Sequence, residues 1–167
     1  MTSNLAATQS FSVDDLKSVM GHFATGVTIV TAIEDGEPVG FTCQSFVSLS
    51  LEPALIALAP AKSSTSWPKI SKAGTFCVNI LSEAQRATCM SFAVSGADKF
   101  AGLSWVPASR GAPILDGSLG WVECELELVH DAGDHELVLG RVLTLGKSEG
   151  SPLLYYRSKL GSMSPEA

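Results

Sequence analysis

Between Trp121 and Val129 the chain alternates without a break. Val122, Cys124, Leu126 and Leu128 share one parity, and Glu123, Glu125 and Glu127 the other. A period of two is the signature of a strand and excludes a helix. The apolar parity should face a core and the glutamates water, a solvated face rather than a docking site. Leu137 to Leu145 forms a second, more continuously apolar strand, and Leu153 to Tyr156 a short last one.

Upstream, Val27-Thr28-Ile29-Val30-Thr31 is β-branched, and Glu34-Asp35-Gly36-Glu37 reads as a hairpin turn into a strand from Val39 to Val47. Leu55 to Ala59 and Thr75 to Leu81 complete the strands. Helices are inserted between them. Ser12 with Asp15 forms a capping-box pattern before Val13, Leu16, Met20 and Phe23, which should make a helix packed as a lid or flank. Trp67-Pro68 after a run of serines starts a short helix to Ala73, and Ser82 with Gln85 opens one from Glu83 to about Ala93. Strands interrupted irregularly by helices favour an antiparallel barrel over a doubly wound sheet.

No linker or repeat divides the 167 residues, so the expected organisation is one domain over 11–160 with tails at 1–10 and 161–167. Eleven Lys and Arg against seventeen Asp and Glu give a net charge of −6, which opposes binding to nucleic acid or to anionic membranes. The first ten residues carry no targeting pattern, and the expected location is the cytoplasm. Cys43, Cys77, Cys89 and Cys124, with His22, His130 and His135, show no metal-ligand spacing, and no metal is expected.

The usual nucleotide loops and the nucleophile elbow are absent. Three polar clusters remain. In Pro38 to Ser50, Thr42, Gln44, Ser48 and Ser50 fall on one parity while Phe41, Cys43, Ser45 and Val47 share the other, so neither face is cleanly apolar. Such groups need partners if buried: a polar ligand is one answer, a solvent-facing edge strand the other. Lys62 with Ser63, Ser64, Thr65 and Ser66 precedes a helix start, either as a phosphate seat or as an ordinary Ser-rich cap. Gly133-Asp134-His135 presents an imidazole beside a carboxylate at a turn, as a surface pair or a functional one.

In this order, the clusters resemble the short-chain flavin reductases that supply reduced flavin to two-component aromatic monooxygenases. The resemblance runs through HFATGVTIVTA (His22 to Ala32), PVGFTCQSFVSLSLEP (Pro38 to Pro53), SSTSW (Ser63 to Trp67), GTFCVNIL (Gly74 to Leu81), DKFAGLSW (Asp98 to Trp105), AGDHELVLGRV (Ala132 to Val142) and EGSPLLYYR (Glu149 to Arg157). It implies a split β-barrel, a six-stranded antiparallel Greek-key-like barrel of the FMN-binding type, in a homodimer with flavin sites near the subunit interface. Phe41, Thr42, Cys43, Gln44 and Ser45 would then line the flavin ring and ribityl chain, with Ser48, Leu49 and Ser50 nearby. Its phosphate would sit against Ala59, Pro60, Ala61, Lys62, Ser63 and Ser66. His135 would be the catalytic residue and, with Gly133, Asp134, Thr25 and Tyr156, would meet the nicotinamide dinucleotide. His22 stands where many members have Arg or Gln, and no role is carried to it.

The resemblance implies hydride transfer from NADH, in preference to NADPH, to FAD or FMN, and release of reduced flavin to an oxygenase component. Two stacked rings suffice for that chemistry, so the protein supplies orientation. A non-catalytic flavin carrier or storage protein on the same fold is the rival, since fold alone does not decide function.

Overall fold

The computed structural model describes residues 10–163 except 95 and 97. Most of both expected tails therefore lies outside the described residues, although the last strand runs through Ser162, past the expected domain end at 160.

The elements, in order, are α1 (Val13–Met20), β1 (Thr25–Gly26), β2 (Thr28–Glu34), β3 (Glu37–Cys43), β4 (Val47–Leu51), β5 (Ala54–Leu58), α2 (Trp67–Ala73) and β6 (Thr75–Ile80). A 3-10 turn (Glu83–Gln85) leads into α3 (Arg86–Ala93), followed by β7 (Trp105–Pro107), β8 (Pro113–Leu115), β9 (Gly120–Ala132), β10 (His135–Lys147), β11 (Leu153–Tyr156) and β12 (Lys159–Ser162).

Asp35 and Gly36 take φ values of 52° and 85°, the left-handed pair that a tight hairpin needs between β2 and β3. β2 is buried from Thr28 to Ala32 because both of its faces are covered. Val30 and Ala32 pack with Trp67 and Ile70 of α2, Phe76, Cys124 and Val138. Ile29 packs with Leu81, Phe92 of α3, Leu115 and Leu153 in a second cluster. Burying these side chains stabilises the fold by roughly 1.5–3 kcal/mol each.

Seven strands form one antiparallel sheet in the order β3-β2-β6-β9-β10-β5-β4. This corrects the expected six-stranded split barrel: the main sheet has seven strands and is not closed into a barrel. The edges β3 and β4 are consecutive in sequence yet share no ladder, and β1, β11 and β12 pair in a separate three-stranded sheet. The long β9–β10 pair is locally irregular all the same. Register shifts fall between Leu139 and Gly140 and between Val142 and Thr144, and bulges of this kind increase local twist. At Gly140 a Cβ would stand 2.8 Å from Phe76 Cζ and 3.0 Å from Cys124 Cβ, so only glycine permits that approach.

Two further expectations are overturned. Glu123 is fully buried rather than solvated, because the β7–β8 hairpin covers its face of β9. Its carboxylate accepts from the Ser109 hydroxyl at 2.5 Å, the Arg110 N–H at 2.8 Å and the Thr144 hydroxyl at 3.2 Å. At the other end of β9, Leu128 and Val129 are exposed. Helix α1 has the anticipated capping box, but it buries none of its residues. Leu16, Val19, Met20 and the following Phe23 all face outward, so α1 is no lid on its own chain.

Candidate functional site

The expected strand from Val39 to Val47 breaks at Gln44, and a side chain takes over from the ladder there. Ser45 Oγ accepts from the Ala59 N–H at 2.9 Å and donates to the Ala59 carbonyl at 3.0 Å. That clamp ties the end of β3 to the chain leaving β5, and Thr42 to Ser45 and Ala59 to Ala61 become walls of one cavity of about 1000 Å³. Ser63 to Ser66 supply another wall, α3 contributes Arg86, Cys89 and Met90, and Tyr155, Ser158 and Leu160 complete the lining.

His135 enters from the first residue of β10. An isolated bridge joins it to Ala61, with Lys62 N–H donating to Asp134 O at 2.9 Å and Glu136 N–H to Pro60 O at 3.0 Å. The Gly133-Asp134 turn is thereby held against the Ser-rich loop. The Asp134 carboxylate meets His135 Nδ1 at 2.7 Å, and that contact holds the Asp134 carboxyl below its ordinary range.

Of the residues nominated from sequence, Phe41, Thr42, Cys43, Gln44, Ser45, Ala59, Pro60, Ala61, Ser63, Ser66 and His135 line the cavity. Others do not. The Lys62 ammonium is turned to Asp131, whose carboxyl it holds low. Ser48, Leu49 and Ser50 belong to β4, outside the lining. Thr25 lines an adjoining groove and receives Gln44 Nε2 at 3.4 Å, while Tyr156 lies outside the cavity and its neighbour Tyr155 lines it. Successive strand residues point to opposite faces, so parity decides between the two tyrosines. Gly133 and Asp134 act behind His135.

Sequence reasoning missed Arg86, Cys89, Lys99 and Tyr155. Lys99 lay in the quoted block DKFAGLSW, a usable signal, whereas Arg86 belonged to no motif.

Among the described residues no carboxylate lines the cavity, although the chain as a whole is acidic. Arg86, Lys99 and His135 do line it. Arg86 donates to the Leu160 carbonyl at 3.1 Å, and Lys99 to the Gly40 carbonyl at 3.0 Å and Ser66 Oγ at 3.4 Å. Burial pushes the Lys99 ammonium below its usual range and the Cys43 and Cys89 thiols above theirs. Those thiols are therefore neutral lining groups rather than nucleophiles. None of the hydrogen bonds among the described residues engages the N–H groups of Ser63, Thr65 or Ser66. Free N–H groups, hydroxyls and a cation are the donor set that a phosphate requires. Thr42 Oγ1 is spent on Cys89 O at 3.0 Å, which leaves main-chain groups for recognition at that position.

The chain matches the model of the flavin reductase like domain over residues 20–164. It is 50% identical over 151 residues to the reductase subunit HsaB of a flavin-dependent monooxygenase from Rhodococcus jostii, covering 90% of this chain and 77% of that protein. Among solved structures, nitrilotriacetate monooxygenase component B from Mycobacterium thermoresistibile superposes with a TM-score of 0.88 at 45% identity, covering 91% of this chain and 87% of that one. The NADH:FAD oxidoreductase SgcE6 of Streptomyces globisporus, solved in complex with NAD and FAD fragments, gives 0.86 at 31% identity, covering 92% and 94%. With the antiparallel sheet, a cavity that no carboxylate lines among the described residues, the matching family model and these relatives in agreement, the chain belongs to the flavin reductase family.

Proposed function

We propose that this protein is an NADH-dependent flavin reductase that takes up FAD or FMN as a dissociable substrate and hands the reduced flavin to the oxygenase component of a two-component monooxygenase. The observation that carries this reading is the cavity itself: about 1000 Å³, lined among the described residues by two cations and no carboxylate, in a chain of net charge −6. Two anionic nucleotides require such a lining. The hydride passes from nicotinamide to flavin by chemistry that the two ligands carry themselves.

The chain's residues bind and align. Main-chain groups from Phe41 to Ser45 hold the ring and ribityl chain, and Ala59 to Ala61 with Ser63 and Ser66 flank the phosphate end. His135, fixed by Asp134, bonds the nicotinamide dinucleotide. Thr25 and Tyr156 border the site rather than line it. The neutral thiols of Cys43 and Cys89 keep this wall free of competing nucleophiles.

The working unit is a homodimer. Its support is the uncovered apolar face of α1 together with Val47, Leu49 and Leu51 of β4, around a groove of about 910 Å³ that shares Gln44, Ser45 and Tyr155 with the cavity. A second copy seated there would border both ligands. Among the described residues no helix is long and apolar enough to cross a membrane, and the proposed location is the cytoplasm.

The test is NADH oxidation by the purified protein with FMN, FAD or no flavin, repeated with NADPH. Turnover that depends on added flavin, and is faster with NADH, is expected. Flavin binding without turnover with either nicotinamide would instead mark a carrier.

A further inference from the structure

Trp67 does not line the cavity, yet it touches three of its walls from behind. It opens α2 and is 3% exposed. Its main-chain N–H donates to Ser64 Oγ at 3.1 Å, in the Ser-rich loop. Its ring meets that of Phe41 edge-on, with centroids 6.5 Å apart and planes at 74°. Its indole Nε1–H donates to Glu136 Oε2 at 2.5 Å. Ser64 and Phe41 line the cavity, and Glu136 directly follows His135, which lines it too.

The strand makes this arrangement possible. Successive residues point to opposite faces, so at the start of β10 His135 turns to the cavity and Glu136 turns behind it, to Trp67. An indole N–H buried this deeply needs an acceptor, and a carboxylate supplies the stronger, charge-assisted kind. Main-chain bonds already fasten β10 to Pro60 and Ala61. The Trp67–Glu136 bond fixes it against Phe41 and Ser64 as well.

Phe41 and the Ser-rich loop belong to the flavin half of the proposed site, and His135 to the nicotinamide half. Hydride transfer is steep in the distance between the two rings, and a misplacement of about 1 Å can slow such a step about 100-fold. A wall that shifts as a unit carries its ligand with it, so each ligand alone would bind as before. We infer that Trp67 and Glu136 are positioning residues, a buried strut that sets the distance between flavin and nicotinamide by tying the His135 wall to the flavin wall. This rests on the flavin reductase reading and adds the device that aligns its two substrates.

The experiment compares the wild type with Trp67→Phe, Glu136→Ala, the two combined, and Glu136→Gln. Anaerobic stopped-flow mixing with NADH gives the limiting rate of flavin reduction and the affinity for NADH, and fluorescence quenching gives the affinity for flavin. Trp67→Phe keeps an aromatic ring against Phe41 and removes the donor. Each single variant should slow the limiting rate about 10- to 100-fold while both affinities change less than about twofold. The combined variant should be no slower than the slower single one, because both changes remove the same bond. Glu136→Gln should recover most of the rate, since its amide oxygen still accepts. Glu136 is half-buried, so Glu136→Ala carries the test should Trp67→Phe fail to fold. A limiting rate unchanged in the single variants, a loss that appears only as weaker binding, or additive losses in the combined variant would reduce the strut to packing and overturn the inference. A wild type whose bound flavin NADH does not reduce would overturn it together with the proposed function.

Discussion

Asp134 holds the Nδ1 side of the His135 ring at 2.7 Å, which leaves Nε2 as the nitrogen free to bond a ligand. His135→Ala should therefore raise KM for NADH several-fold more than KM for flavin, with a smaller fall in kcat. Asp134→Asn should show the same split at reduced size, since the ring stays but loses its orienting carboxylate. Steady-state kinetics with each substrate varied in turn checks both variants. Equal effects on the two KM values would place His135 elsewhere in the mechanism.

The absence of a Cβ at Gly140 is what lets β10 lie against Phe76 and Cys124. Gly140→Ala should destabilise the protein by about 1–3 kcal/mol through overpacking. Urea unfolding would report it as a lower midpoint with an unchanged slope.

Glu123 is a buried carboxylate with three hydrogen-bond donors and, among the described residues, no ion-pair partner. Glu123→Ala should cost more than Glu123→Gln, because alanine leaves the Arg110 N–H and two hydroxyls unsatisfied at about 1–3 kcal/mol each. The Arg110 amide should lose its protection from hydrogen exchange in Glu123→Ala.

All four thiols are buried. Burial raises each of them above its ordinary value of 9.0, Cys124 to about 12, with the Glu123 charge adding to the effect there. The folded chain therefore holds protons that the unfolded chain releases. Stability should be level below about pH 9 and fall as pH rises from there toward 12, by up to about 1.4 kcal/mol per pH unit for each thiol. Thermal melts from pH 7 to 10.5 test the direction, and a thiol reagent should label the native protein slowly.

Leu16→Glu combined with Phe23→Glu places charges on the uncovered face. The double variant should run as a monomer by light scattering while keeping its secondary structure by circular dichroism. An unchanged mass would exclude this face from the proposed dimer.

Local chemistry was legible where neighbours in sequence decide it. The capping box at Ser12, the Gln85 side chain that accepts from the Ser82 N–H and the Asp35-Gly36 turn depend on residues within a few positions, and all three form, although the Ser82 hydroxyl finds no partner among the described residues. The polar run from Thr42 to Ser45 was legible too, since hydroxyl and amide groups at that density in a strand call for partners. What stayed hidden depends on distant chain. Burial of Glu123 follows from a hairpin whose strands are three residues long and too short to alternate. The Lys62 contact with Asp131 and that of Lys99 with Ser66 join residues 69 and 33 positions apart, beyond any periodic signal.

The segment Gln44 to Phe46, whose first two residues line the cavity, links the two outermost strands of the sheet, and those strands share no ladder. A ligand entering beside it need break no backbone pairing, and neither need one that departs. The ladders of β2, β6 and β9 should accordingly stay paired while the site fills and empties. For a protein whose product must leave in order to be useful, the open seam places the traffic where the rigid interior does not have to take part.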